Sequence, residues 1–389
     1  MVKVLVLNDK HPDELPGAAT VAMQCYQELS TQFNTIFCFG SELDYSINSG
    51  FICYRISRVE SFVNRVFKRM RLTDTIRSFT RLKSLLWFAK LILNFKPQIV
   101  VIHKIGDVFS IFTVLVCRLF KSRIYFMHHD FSHIKMGKLY PADLEILPNN
   151  VDQEFLSNSK ELFQNIKLNF RSRIYRFLLN RYTTQICQTT LHLSSLIGTG
   201  FRISRLIPQY LPKLLSKNKN DYSQTLRSPL RIFFASRIIG KGLPKLIRLI
   251  ERDERFFLNL AGSAELQYEA SKHLDQKRFR YLGNLKNSEV LLEMSDNDFT
   301  YACSECLDVG PRTVVESMSV GTLAIVSAVT GHASELFQLN KNLVVKYNKE
   351  IEGDKLINLL RNRNNILDSY YNSKNLENLY WVTLVRESI

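Results

Sequence analysis

The chain has 389 residues, 46% of them hydrophobic and 11% aromatic, and a formal net charge of +16. That length suits two domains better than one core, and the apolar fraction excludes a disordered polymer. The longest apolar run, residues 108–117, is half of the roughly 20 residues a bilayer span needs, and seven scattered cysteines exclude a disulfide framework.

Short apolar runs alternate with amphipathic stretches, which predicts α/β architecture with parallel sheets flanked by helices. Strands are expected at residues 3–7, 35–39, 99–103, 124–128 and 185–188. The first is too short for a signal peptide, and a cytoplasmic protein is expected. Gly17 then opens an amphipathic run, where a bare backbone can approach a phosphate or simply close a loop. Residues 55–96 hold eleven Lys and Arg against two acids, with Phe62, Val66, Phe67 and Met70 opposite Arg65, Lys68 and Arg69. A second basic stretch, residues 167–181, interleaves Phe170, Ile174, Phe177 and Leu178 with arginines. Each fits either a helix lying on an anionic membrane or a core helix with a solvated basic face. Nucleic acid would also attract such charge, but no nucleic-acid-binding motif accompanies it. Between the two stretches, His128-His129-Asp130 with His133 ends a strand. On the residues alone it can be a metal site or a hydrogen-bonded strand end.

Residues 213–229 are polar and read as a linker, after which a second strand series starts at 230–235, 256–260, 279–282, 299–303, 323–327 and 343–345. Residues 1–212 carry 27 Lys and Arg against 15 Asp and Glu, whereas residues 230–389 carry 21 against 20, so the charge excess belongs to the front. Arg237 and Lys241 follow the first strand of this series, where fixed cations can stabilise a leaving phosphate. Gly283 and Leu285 follow its third strand. Asp296-Asn297-Asp298 mimics a metal-binding Asp-x-Asp but precedes a strand, and the lone Cys303-x-x-Cys306 has no second pair, so no metal is expected. Past the strand at 299–303, Asp308 and Glu316 stand eight residues apart, separated by Gly310-Pro311 and followed by helical spacing. Acids beside a glycine-led helix start suit a polyhydroxylated anion. Residues after 366 look helical.

The segment from Ser304 to Leu336 resembles the donor-binding region of glycosyltransferase family 4, retaining enzymes of the GT-B fold that use nucleotide sugars. The resemblance implies two Rossmann-like domains facing across a cleft: residues 1–212 on the acceptor side, joined by a returning helix at 366–389, and residues 230–365 for the donor. It implies that Arg237 and Lys241 hold the diphosphate and Glu316 the ribose, and that Gly283 and Leu285 pack on the base. Asp308 stands where the family has glutamate, near the donor sugar beside Gly310. His129 would face donor sugar and acceptor, and Gly17 the phosphate. Glu335 lies near a family glutamate of uncertain role. The implied activity is retaining transfer from a nucleoside-diphosphate sugar to a glycan or lipid-linked acceptor. The implied setting is bacterial O-antigen or capsule synthesis at the cytoplasmic face of the inner membrane, without cofactor, metal or nucleic acid. The rival expectations are an inactive sugar-nucleotide-binding protein on the same scaffold, a nucleic-acid-binding protein and a nucleotide-sugar epimerase.

Overall fold

The structure is a computed structural model that describes residues 1–11, 17–41, 50–56, 82–106, 108–134, 139–144, 161, 163–164, 166–207, 229–236, 239–347, 349–373 and 380–388. The apolar face expected around residues 62–70, the 213–228 part of the linker and Arg237 lie outside them.

The first lobe is built on a parallel sheet of strands β1 (Lys3–Lys10), β2 (Asn34–Ser41), β3 (Phe51–Arg55), β4 (Ile99–Lys104), β5 (Arg123–Met127), β6 (Thr184–Cys187) and β7 (Ile203–Leu206), in the order β3-β2-β1-β4-β5-β6-β7. The second lobe repeats the plan with β8 (Leu230–Ser236), β9 (Phe256–Gly262), β10 (Phe279–Tyr281), β11 (Phe299–Ala302), β12 (Leu323–Ser327) and β13 (Val344–Val345), ordered β10-β9-β8-β11-β12-β13. Both are doubly wound sheets whose order reverses beside the first strand. Such a reversal opens a crevice at the carboxyl ends of the strands. The expected fold class is therefore the one observed.

The pleat explains why these strands read as unbroken apolar runs. In β1, Leu5 and Leu7 enter one core while Val4 and Val6 enter the other, and β4 divides Val100 and Ile102 from Ile99 and Val101 in the same way. The edge strands β3 and β7 escaped the sequence reading. β7 (ISRL) leaves three of its four residues exposed, so it lacks the apolar run that marks a central strand.

Helix α1 (Ala18–Ser30) covers one face of the first sheet with Ala22, Cys25 and Leu29. The last helix, here α13 (Tyr380–Arg386), packs beside it through Trp381, Val382, Leu384 and Val385. Glu28 of α1 accepts the backbone N–H groups of Trp381 and Val382 at 2.7 and 3.1 Å, satisfying donors that a helix start leaves open. The chain's end thus returns to the first lobe, but later than position 366. Helix α12 (Arg363–Ser373) buries Ile366, Leu367, Tyr370 and Tyr371 in the second core, and only α13 belongs to the first.

Candidate active site

Three turns at the carboxyl ends of the second sheet build the site. After β8 the chain passes through a short 3-10 turn, Ile239–Lys241, and enters α6 (Leu243–Arg252) at Gly242, whose φ is 90°. A Cβ there would collide with the carbonyl of Cys303, so only glycine lets this turn lie against the end of β11. Lys241 thereby meets Asp308 in an ion pair. Burial opposes the Lys241 charge, but the Asp308 carboxylate outweighs it and raises the lysine above its usual range. Asp308 is fixed from its backbone as well. Its N–H donates to Val329 O at 3.1 Å, and its carbonyl accepts from Gly331 N at 2.7 Å.

Glu316 lies in α9 (Arg312–Ser319) and is 3% exposed. A carboxylate so withdrawn from water needs a cation, and Arg312, one turn earlier, supplies it with Nε at 2.5 Å from Oε1. The same guanidinium reaches across the seam, where Nη1 donates to Gln24 Oε1 of α1 at 3.1 Å. Arg312 is the residue that sequence reasoning passed over. Its i,i+4 spacing to Glu316 was visible; Gln24, 288 positions away, was not.

The lobes also touch around Asp308. Leu307 N donates to Leu139 O at 2.7 Å, Thr189 Oγ1 donates to Val309 O at 2.5 Å, and Leu307 and Val309 pack into the first-lobe core. At Gly310 a Cβ would stand 2.9 Å from Thr189 Cγ2 and 3.2 Å from His332 Nε2, so glycine permits the approach. Thr189 follows Gln188, whose amide lies 2.8 Å from His129 Nδ1. His129 Nε2 lies 3.0 Å from His103 Nδ1. Both ring nitrogens of His129 are therefore engaged by protein. Burial, reinforced by His103, holds its pKa well below the usual value, so it is neutral at pH 7.

Lys241, Asp308, Gly310 and Glu316 thus converge on the seam, and His129 approaches it through Gln188 and Thr189. Gly17, with φ 95°, opens α1, and the helix carries Gln24 to Arg312. Gly283 and Leu285 have partners within the second lobe. Gly283 O accepts from Gly262 N at 2.8 Å, and Leu285 packs beside Phe233 and Met294. Asp298 is fully buried and accepts from Arg231 N at 2.7 Å, tying β11 to β8 as a structural aspartate does. Glu335 lies 3.5 Å from His332 Nδ1.

Two doubly wound lobes meeting at paired acids and cations define a GT-B protein. Residues 217–375 match the family model described as glycosyl transferases group 1. That match spans the second lobe. Among solved structures the chain is similar to sucrose-phosphate synthase from Thermosynechococcus elongatus, with 13% identity, TM-score 0.69 and coverage of 100% of this chain and 98% of that one. It is also similar to Anabaena HepE in complex with UDP-glucose, with 13% identity, TM-score 0.63 and the same two coverages. A glycosyltransferase from Rickettsia africae has 13% identity and TM-score 0.62 over 99% of this chain and 97% of that one. No curated protein matches the sequence.

Replacing Arg312 by Met leaves the Glu316 carboxylate buried without its cation, which should cost about 3–5 kcal/mol. Urea unfolding will read this, and adding Glu316→Leu to the variant should recover most of the loss. Acid should act on the first lobe. Burial lowers His103 and His192 to about 3 and His128 to about 4. A neutral buried histidine stabilises fully above its unfolded value near 6.5, and that stability drains as pH falls towards the folded value. At pH 5 the loss is about 2 kcal/mol for each of the three. The urea midpoint should therefore drop between pH 7.5 and 5, and less so in His128→Gln.

Proposed function

We propose that this chain transfers a sugar, with retention at the anomeric carbon, from a nucleoside-diphosphate sugar to a glycan or lipid-linked acceptor. The observation that carries the reading is the meeting of Lys241–Asp308 and Arg312–Glu316 at the seam. Glu316 has the lone pairs to accept ribose hydroxyls, and Lys241 has the charge to stabilise a departing diphosphate. Asp308, held between them and the first lobe, would take hydroxyls of the sugar. The UDP-glucose bound by the similar Anabaena protein supports a nucleotide sugar as donor. Because His129 is neutral and already engaged on both sides, we assign the acceptor's proton to the leaving phosphate. Arg237 would join Lys241 on the diphosphate, and the two cations would do the work that a divalent ion does elsewhere.

The surface of the first lobe supports an acceptor at an anionic membrane. Helices α2 (Leu82–Phe95), α3 (Thr113–Leu119) and α4 (Phe170–Tyr182) pack side by side. Leu82, Leu86 and Leu93 of α2, Leu119 of α3 and Phe170 and Phe177 of α4 are exposed. Residues 82–96, 108–123 and 166–182 together contain eleven Lys and Arg and no Asp or Glu. Apolar side chains among many cations are what a headgroup layer attracts. Among the described residues no helix is long and apolar enough to cross a membrane, so the contact would be peripheral. Synthesis of a bacterial surface polysaccharide, O-antigen or capsule, at the cytoplasmic face of the inner membrane fits such a contact.

A thermal-shift series with UDP-, GDP-, ADP- and dTDP-sugars should find one donor that stabilises the protein by about 3–4 kcal/mol at saturating excess. Glu316→Ala should abolish that shift together with transfer; a protein indifferent to all four donors is not this enzyme. Separately, sedimentation with phosphatidylglycerol vesicles should pull the chain down at low salt and release it at high salt. Phe170→Ser with Phe177→Ser should weaken the association several-fold, and failure to sediment at low salt would remove the membrane from the proposal.

A further inference from the structure

We infer that the second lobe holds a separate pocket for an anionic amphiphile beside the donor site. A cavity of about 430 Å³ opens where the carboxyl ends of β12 and β13 meet the start of α11 (Gly353–Arg361). That size is within the range of small-molecule sites. Ala328, just past β12, forms one wall, and the turn it begins reaches Asp308 through the bridge at Thr330. The cavity is thus next to the donor site yet on the far side of that turn, at the outer edge of the sheet.

Its chemistry is two-sided. Val344, Val345, Ile351 and Leu356 form an apolar floor, and Phe337, 44% exposed, stands at the mouth. Water against such a floor is displaced favourably by hydrocarbon. The rim carries Lys341, Lys346 and Lys349. Among the described residues none of these three has a carboxylate within ion-pair distance. The acids at the mouth are taken elsewhere. Glu350 pairs with Arg248 at 3.0 Å and with Arg252, and Glu352 pairs with Lys355 at 2.7 Å. A ribose would need a free acid here, whereas a phosphate or carboxylate head on a hydrocarbon body meets three uncompensated ammonium groups and an apolar bed. The wall is tied to the catalytic loops as well. Lys346 precedes Tyr347, whose hydroxyl donates to Glu305 O at 3.0 Å, and Glu305 N donates to Gly240 O at 3.3 Å.

Calorimetric titration of the full chain with decyl phosphate, below its micelle concentration, tests the site. Saturable binding at one site is expected, at least tenfold tighter than decanol or inorganic phosphate alone. Lys346→Glu with Lys349→Glu should weaken it tenfold or more, and Val345→Trp should remove it by filling the floor. Binding should survive Glu316→Ala and saturating nucleotide sugar, which separates failure here from failure of the donor assignment. Reduced vesicle binding by the lysine variant would identify the head as a bilayer lipid's, and unchanged vesicle binding as a free amphiphile's. No saturable binding, binding indifferent to all the pocket variants, or displacement by the nucleotide sugar would overturn the inference.

Discussion

Two acids at a seam largely shut off from water cannot stand there unpaired. In this protein each has its own cation. Glu316 is held by Arg312 at 2.5 Å and Asp308 by Lys241. The cost of withdrawing a carboxylate from water is several kcal/mol, and only a close cation with good hydrogen-bond geometry offsets it. Much of the site's local form follows from that requirement. The turn after β8 must bring Lys241 against β11, so Gly242 is needed where a side chain would strike the Cys303 carbonyl. Helix α9 must begin at Arg312 so that one turn separates the guanidinium from Glu316.

The same cations decide how the lobes sit. Arg312 spends one arm on Glu316 and another on Gln24, so the charge that settles the buried acid also links α9 to the first helix of the other lobe. The Leu307–Val309 segment is inserted into the first-lobe core while Asp308, between them, faces Lys241. Alternation along an extended segment explains this, since neighbouring side chains point to opposite sides. Ion pairing and lobe contact are consequently carried by the same few residues. A ligand that competes for either acid acts on the interface as well.

The lobes divide the remaining work by charge. The second is nearly neutral in total and sets Lys241 against Asp308 and Arg312 against Glu316 at the seam. The first holds most of the net positive charge and shows it beside exposed leucines and phenylalanines on α2 to α4. On the proposed function, such a division of charge suits a soluble donor at the second lobe and an acceptor held at an anionic surface by the first.

The sequence by itself determined the plan of both sheets. Central parallel strands are buried on both faces, so they appear as unbroken apolar runs, and all eleven expected strands begin within one residue of observed ones, as at Lys3, Ile99, Leu230 and Leu323. It also exposed Asp308, Glu316, Lys241 and Gly310, because strand-end loops and helix starts have local signatures. Edge strand β7 was hidden because a mostly exposed strand lacks that apolar continuity. What only the tertiary structure decided is who meets whom: Arg312 with Gln24, Thr189 with Val309, His129 with His103 and Gln188, and α12 with the second core rather than the first. Those partners are set by which distant segments the two sheets bring within side-chain reach, and no spacing along the chain encodes such a distance.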